Sequence, residues 1–448
     1  MNIGGIKLSN TTILVIAGIL GFFLVGAMFF LFVRGFGGSQ KQQKNITLQF
    51  WGVFDDQAYF QGAIDAYKKD HPNVNIAYRL FNYSDYEREL ISSFAAGTGP
   101  DIFLIHHNWL PKYGQLLQPL PLPATKNDKP LMTVNDFKSQ FVDVATQDLV
   151  RNDRIYGMPL YVDTLGLYYN KDIFNGEGIV NPPKTYEDLN VDIGQLTKLD
   201  ADGNIQRSGL AIGSVNNINR PTDILSMLML QSGVKMNESP ISPRVSFASS
   251  GSTGDAAKTA LQYYTDFANP QKQVYTWNEQ QPYSIDAFIN GKTVMMINYS
   301  HHIRTIRDKS ARFKFATAPI PQISNAPFAV SYPNYWAPAV AKSSPNGQAA
   351  WEFLVFLGSA RGDAYYINAS NRPSARKDFI EQQRSDPDLG PFAVQALYAR
   401  SWNQIDDVKV EQILGQMIND VNLGKSDYET ALNKAQDAIN LLARQGGF

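Results

Sequence analysis

From Asn45 onward the apolar positions switch repeatedly between a period of two and a period near 3.6. Ile46, Leu48 and Phe50 alternate with polar residues and predict a first strand that ends at Trp51. Phe60, Ala63, Ile64 and Tyr67 then share one helical face, which Lys68, Lys69 and Pro72 close. Val74, Ile76, Tyr78 and Leu80 alternate as a second strand. Ser84 and Glu87 read as a capping box opening a helix whose Leu90, Ile91 and Phe94 face inward. Gly97 and Gly99 end that helix, and Asp101–Ile105 form a short buried strand. The order β-α-β-α-β predicts an open parallel sheet wound by right-handed crossovers. Ligands of such sheets bind beyond the carboxyl ends of the strands, where Trp51, the Phe81–Tyr83 turn and His106–Trp109 fall.

Pro119, Pro121 and Pro123 mark a surface excursion before a helix around Phe137–Leu149. Leu160–Tyr169 follow as a nearly unbroken apolar strand with one charge, Asp163. Burying an unpaired carboxylate costs several kcal/mol, so Asp163 must meet a partner, a helix N-terminus, water or a ligand. Thr185 caps a helix from Tyr186, Ile205–Ile212 read as a strand and Arg220–Gly233 as a helix. Ser239–Gly254 read as a loop, and Leu261, Tyr264 and Phe267 as a helical face. Thr293–Asn298 form another buried strand, with Tyr299, His301 and His302 just beyond it. Trp336–Ala341 are strand-like, Ala349–Leu357 helical, and the chain from Pro391 is helical with Ser426–Glu429 as a second capping box. A second α/β lobe therefore follows the first.

Upstream, Ile13–Val33 is an uncharged apolar run long enough to cross a bilayer as a helix. No small-residue cleavage site follows it, so the run predicts an uncleaved anchor after a short segment 1–12. Residues 34–44 read as a flexible linker. Lys7 precedes the run while Arg34, Lys41 and Lys44 follow it, a bias that favours a cytoplasmic downstream domain. Composition narrows the choice of function. At 448 residues the chain predicts two or more domains; a net charge of −1 leaves no basic face for nucleic acid. With zero Cys there is no disulfide, thiolate nucleophile or lipidated cysteine.

Five stretches carry a resemblance. Gly97–Trp109 (GTGPDIFLIHHNW), Tyr156–Phe174, Asn181–Leu189, Phe288–Asn298 and Ala349–Tyr366, followed by Arg372–Phe379 (RPSARKDF), resemble the ordered landmarks of the family 1 extracellular solute-binding proteins. These are the sugar-type receptors of ABC importers. The resemblance covers nearly everything from Asn45 and implies a two-lobe periplasmic-binding-protein-like α/β fold, closing on its ligand like a flytrap. It implies lobe 1 from 45–161 plus 332–361 and lobe 2 from 162–331 plus 362–448. Hinge crossings are expected near Tyr161–Asp163, Phe328–Pro333 and Arg361–Arg372. It also implies an extracytoplasmic domain, against the charge bias around the anchor, and an ABC permease as partner.

Sugar receptors stack apolar ring faces on aromatics and hydrogen-bond hydroxyls with polar side chains. Trp51, Tyr83, His106, His107, Asn108 and Trp109 are candidates at the tips of the first lobe; neighbours on an extended tip point opposite ways, so only some can face a ligand. Asp163 matches an acid that bonds sugar hydroxyls in relatives. His301 or Tyr299 stands where relatives present an aromatic, and Trp402 is a further candidate. No catalytic residue, metal or cofactor is expected. The His pairs 106/107 and 301/302 lack an acid at ligand spacing, and Asp200–Asn204 begins like a calcium loop but has Ile205 and Ala211 at the sixth and twelfth positions. A glycosidase needs a second cleft carboxylate besides Asp163. A surface receptor or scavenger with no transporter fits the sequence equally well.

Overall fold

The computed structural model describes residues 10–36, 45–125, 128–249 and 251–447. Helix α1 (Asn10–Phe36) covers the expected apolar run. Its described side chains, at Thr11, Leu14, Val15 and Ala17–Met28, are all exposed. Among the described residues no helix is long and apolar enough to cross a membrane, so the expected span at 13–33 is seen only as a helix. Lys7, Lys41, Lys44 and linker positions 37–44 lie outside the described residues.

The first strand, β1 (Ile46–Val53), runs two residues past Trp51. Asp56 accepts a hydrogen bond from the Ala58 amide and starts α2 (Gln57–Asp70), which buries the predicted face of Phe60, Ala63, Ile64 and Tyr67. After β2 (Val74–Phe81), α3 (Tyr83–Ala95) begins one residue earlier than the expected capping box. Asn82 is its cap position, and Glu87 instead accepts from Lys112 Nζ at 2.6 Å. Tyr86 and Leu90 are its buried residues, whereas Ile91 is exposed. Then come β3 (Ile102–His106), α4 (Trp109–Tyr113) and β4 (Leu117–Gln118). Two helices, Val134–Gln140 and Asp143–Leu149, replace the single one expected, because Phe141 bridges to Arg376 between them.

The apolar run Leu160–Tyr169 is not one strand. It divides into β5 (Asp163–Thr164) and β6 (Gly166–Asn170), which belong to different sheets. Gly166 marks the division: a Cβ there would lie 2.3 Å from a ring carbon of the buried Phe392. Only glycine allows that approach. The second lobe adds β7 (Lys198–Leu199), β8 (Ile205–Ala211), α5 (Pro221–Gln231), α6 (Ser252–Asp266), β9 (Thr293–Asn298), α7 (His302–Lys309) and β10 (Phe315–Ala318). Next come β11 (Pro333–Asn334), β12 (Trp336–Ala341), α8 (Ala360–Ser370), α9 (Gly390–Ala396), α10 (Asp407–Asn422) and α11 (Tyr428–Gln445). The cap of α11 is Asp427, which accepts from Thr430 N, so the expected box from Ser426 does not form.

Two five-stranded sheets result, in the orders β2-β1-β3-β12-β4 and β10-β6-β9-β8-β7. The parallel order expected of the first sheet is only partly met, and the second sheet is mixed as well. β1 and β3 are parallel, but β12 runs antiparallel to β3, pairing Trp336 with His106. The cause is topological. β12 enters the first sheet from the hinge, at the carboxyl end of β3, and has to run back along it. Helices α5, α6, α10 and α11 share one core with the second sheet, built around Leu210, Leu225, Tyr264 and Met295. The chain thus adopts the two-lobe periplasmic-binding-protein-like α/β fold.

Between the sheets, β5 and β11 form a two-stranded ribbon, with Asn334 opposite Asp163 and Pro333 opposite Thr164. A third segment runs beside it: Val162 N donates to Pro373 O and Ala375 N to Leu160 O, both at 3.1 Å. Helix α8 precedes that segment and packs along α2. Residues 362–370, expected in the second lobe, therefore sit with the first. The tie is Asp55, which follows β1 and is buried. Its Oδ1 accepts from Arg372 Nη2 at 2.5 Å and its Oδ2 from the Tyr366 hydroxyl at 2.8 Å. The Arg372 guanidinium also lies over the Tyr161 ring, 4.2 Å from its centre. Removing Asp55 strands a buried cation, which costs about 3–5 kcal/mol when a buried pair is broken. Asp55→Ala is expected to lower the urea midpoint accordingly, and a loss below about 1 kcal/mol would show that the pair does not hold the crossing.

Candidate functional site

The carboxyl ends of β1 and β3, the hinge ribbon and the ends of β8 and β9 converge on one interlobe cleft. It consists of two adjoining compartments that share Phe54, Arg220, Asn334 and Trp336 as walls. One has a volume of about 220 Å³ and is completed by Tyr161, Asp163, His301 and Arg372. The other is nearly filled, about 50 Å³, and is lined further by Tyr83, His106, Asn108, Asp223 and Glu411. A larger hollow of about 720 Å³ opens between Arg151, Lys409 and the end of α11, beyond the Lys112–Asp406 ion pair. No strand of the two five-stranded sheets lines that hollow, so the smaller cleft is the better candidate despite its size.

An aromatic cluster forms one wall. Phe54 and Tyr83 stack at 5.1 Å with an interplanar angle of 29°, and both present edges to Trp336. They are 53% and 50% exposed, so their faces are open to the cleft. Phe54 holds a backbone φ of +65°, an unusual state for a bulky residue and one that marks local strain. Trp51, by contrast, is buried against Phe81 and beneath Arg79. Trp109 is buried beside Trp336, Tyr299 is buried with its hydroxyl on Asp223, and Trp402 is buried with Nε1 on Ser226 Oγ. These four candidates line neither compartment. Each lies one layer behind the surface, where a large apolar ring is more stable out of water.

The histidine tip turns after His106, so His106, His107 and Asn108 all border the smaller compartment although they meet different partners. His106 Nε2 faces Asn334 Oδ1 at 3.3 Å, and its Nδ1 lies 3.2 Å from Asp407 Oδ2 on the second lobe. Trp109 Nε1 donates to the same oxygen at 3.3 Å, and Lys112 Nζ lies 2.9 Å from Asp406 Oδ2. Thus the start of α10 is clamped to the first lobe at one end of the cleft. Burial alone raises the Asp407 pKa, but the hydrogen bond and charge of His106, with Lys112 and Trp109, hold it well below the usual carboxylate range. His107 turns inward, stacks on Tyr335 and meets Asp148 Oδ2 at 3.4 Å. Burial, then His106, lowers its pKa. His302 is likewise pushed down to about 3 by burial and by its neighbours His301, Arg220 and Lys309. Among the described residues no group of three or more acids and histidines could hold a metal ion.

Asp163 borders the 220 Å³ compartment, yet its oxygens are already engaged. Oδ1 accepts from the amides of Thr164 at 2.9 Å and Ser300 at 3.0 Å. Oδ2 accepts from the His301 amide at 3.3 Å and faces His301 Nδ1 at 3.4 Å. The carboxylate therefore seals the turn entering α7, at the positive end of that helix. Residue-by-residue reading missed Phe54, Arg220, Asn334 and Trp336. The signals were a ring following the first strand, a cation before the proline that starts α5, and the Asn-Tyr-Trp segment at the hinge exit.

The family described as bacterial extracellular solute-binding protein matches residues 51–364. A binding protein of Brucella abortus (strain 2308) is 23% identical over 392 residues, 84% of this chain and 88% of its own length. The maltodextrin-binding protein of Bacillus subtilis (strain 168) is 23% identical over 358 residues, 78% of each chain. The structure of the sugar-binding protein MalE from Xanthomonas citri superposes with a TM-score of 0.73 at 17% identity, covering 89% of this chain and 98% of that one.

Stability is the property most exposed to change at Asp163. Asp163→Ala leaves the Ser300 and His301 amides without their acceptor, at about 1–3 kcal/mol for each buried donor left unpaired. The ligand-free protein is expected to melt several degrees lower. Unchanged melting with a weakened ligand affinity would instead identify Asp163 as an acid waiting for ligand.

Proposed function

Because the chain belongs to the bacterial extracellular solute-binding protein family, we propose that its interlobe cleft captures a short saccharide by lobe closure and hands it to an ABC importer. The observation that carries this reading is the open Phe54–Tyr83 stack set against Trp336, opposite the polar groups of Asn334, His301 and Arg220. An apolar platform facing hydrogen-bonding groups matches the two chemical faces of a pyranose. The sugar-binding relatives described above support the same ligand class. Three chain crossings between the lobes suit hinge closure, the usual response of such folds. In this reading the protein binds and releases its ligand unchanged. The 220 Å³ compartment is smaller than the roughly 300–1,000 Å³ typical of drug-sized ligands, which suits one or two sugar rings. The apolar run 13–33, an uninterrupted stretch in the sequence, serves in this proposal as a single-pass anchor that keeps the binding domain outside the cytoplasm.

Two measurements test these statements. In small-angle scattering with a saturating mono- or disaccharide, the radius of gyration should fall, and chromatography should recover the sugar intact; an unchanged radius at saturation, or a released product, contradicts capture by closure. Protease added to intact spheroplasts should remove the binding domain, and full protection contradicts the outward topology.

A further inference from the structure

The 220 Å³ compartment is unusually rich in donors. Arg220 stands at the cap position of α5 with backbone φ of 58° and ψ of 46°, in the left-handed region that residues other than Gly, Asn and Asp seldom occupy. That conformation places its side chain on the wall shared by both compartments. Among the described residues its guanidinium makes no hydrogen bond and no ion pair. An Arg fork offers five N–H donors and no acceptor, so a partly buried one with nothing to donate to has unfilled capacity.

The other charges of the compartment do not fill it. Arg372 faces the same space from the first lobe, with one nitrogen given to Asp55. The only carboxylate on this wall, Asp163, is consumed by three backbone amides and His301. Asn334 gives its side-chain oxygen to His106. Arg372 is balanced by Asp55, so Arg220 is the cation of this wall that has no ion-pair partner among the described residues. Asp223 and Glu411 act on Arg220 electrostatically from the neighbouring compartment without pairing to it. There, Asp223 already accepts from the Tyr299 hydroxyl. A neutral sugar hydroxyl donates as well as accepts, and in the 220 Å³ compartment its proton meets Asp163 oxygens that are already engaged. A group that only accepts fits better.

We propose that the saccharide taken by this cleft is acidic, a uronate whose carboxylate is held in a bidentate pair by Arg220 while its ring lies against Phe54 and Trp336. The inference rests on the saccharide reading and narrows it. Charge-assisted bidentate pairing is directional and roughly twice as strong as neutral hydrogen bonding, so Arg220 selects the acid over its neutral counterpart.

Isothermal titration of the full-length chain with matched pairs tests this: glucuronate against glucose, galacturonate against galactose, and digalacturonate against galactobiose. In at least one pair the acid should bind at least about tenfold tighter, a difference of ~1.4 kcal/mol. Arg220→Gln should bring that ratio to near one while the ligand-free protein still melts in one cooperative transition, because no hydrogen bond or ion pair of Arg220 is lost. Arg220→Lys should retain part of the preference, and it serves as the measured variant if the glutamine form does not fold. Equal or tighter binding of every neutral member, or equal weakening of both members by Arg220→Gln, overturns the acidic ligand and leaves the saccharide reading in place. No binding by any member overturns both.

Discussion

A carboxylate in the hinge of this protein cannot stay both charged and unanswered, and Asp163 is answered by its neighbouring amide and by the backbone of the second lobe. Its four contacts fix where β9 ends, how the chain turns into α7, and therefore where His301 and the far wall of the cleft stand. Placing the acid on a ribbon paired to β11 ties that wall to the strand that returns to the first sheet. Asp55 plays the matching part on the other side, drawing Arg372 and Tyr366 to the end of β1. Two buried acids, each satisfied by groups distant in sequence, thus set the crossing segments between the lobes. In a medium of low dielectric, unpaired versions of either would cost more than the hinge could tolerate.

The cleft inherits its character from that arrangement. With Asp163 committed to amides, the compartment it borders holds donors in excess of acceptors. With Trp336 paired to His106 at the start of the returning strand, the aromatic wall sits directly beside the hinge. The clamp of His106, Trp109 and Lys112 on Asp406 and Asp407 joins the lobes at one end. That contact accounts for the small volume of the second compartment. Any separation of the lobes at that end has to break these contacts.

The alternation of Ile46, Leu48 and Phe50, the helical face of Phe60 to Tyr67 and the buried TVMMIN strand were legible from spacing alone, since burial period follows directly from backbone geometry. The two-lobe architecture was legible from the order of the landmarks. The sequence also marked Asp163 as a charge needing a partner and placed it at the first crossing. It could not say which partner, because the Ser300 and His301 amides are brought there by a contact spanning more than a hundred residues. For the same reason Trp51, Trp109 and Tyr299, at or beyond strand ends, stood as candidates for the site: strand ends are predictable, whereas the depth of packing above them depends on what other elements cover. The division of Leu160–Tyr169 between two sheets was settled by Phe392 against Gly166. Arg220 lay unmarked before a proline, and only the assembled cleft shows it on the wall that both compartments share, with no hydrogen bond among the described residues. Local periodicity determined the elements. The satisfaction of buried charge, a long-range property, decided how they meet.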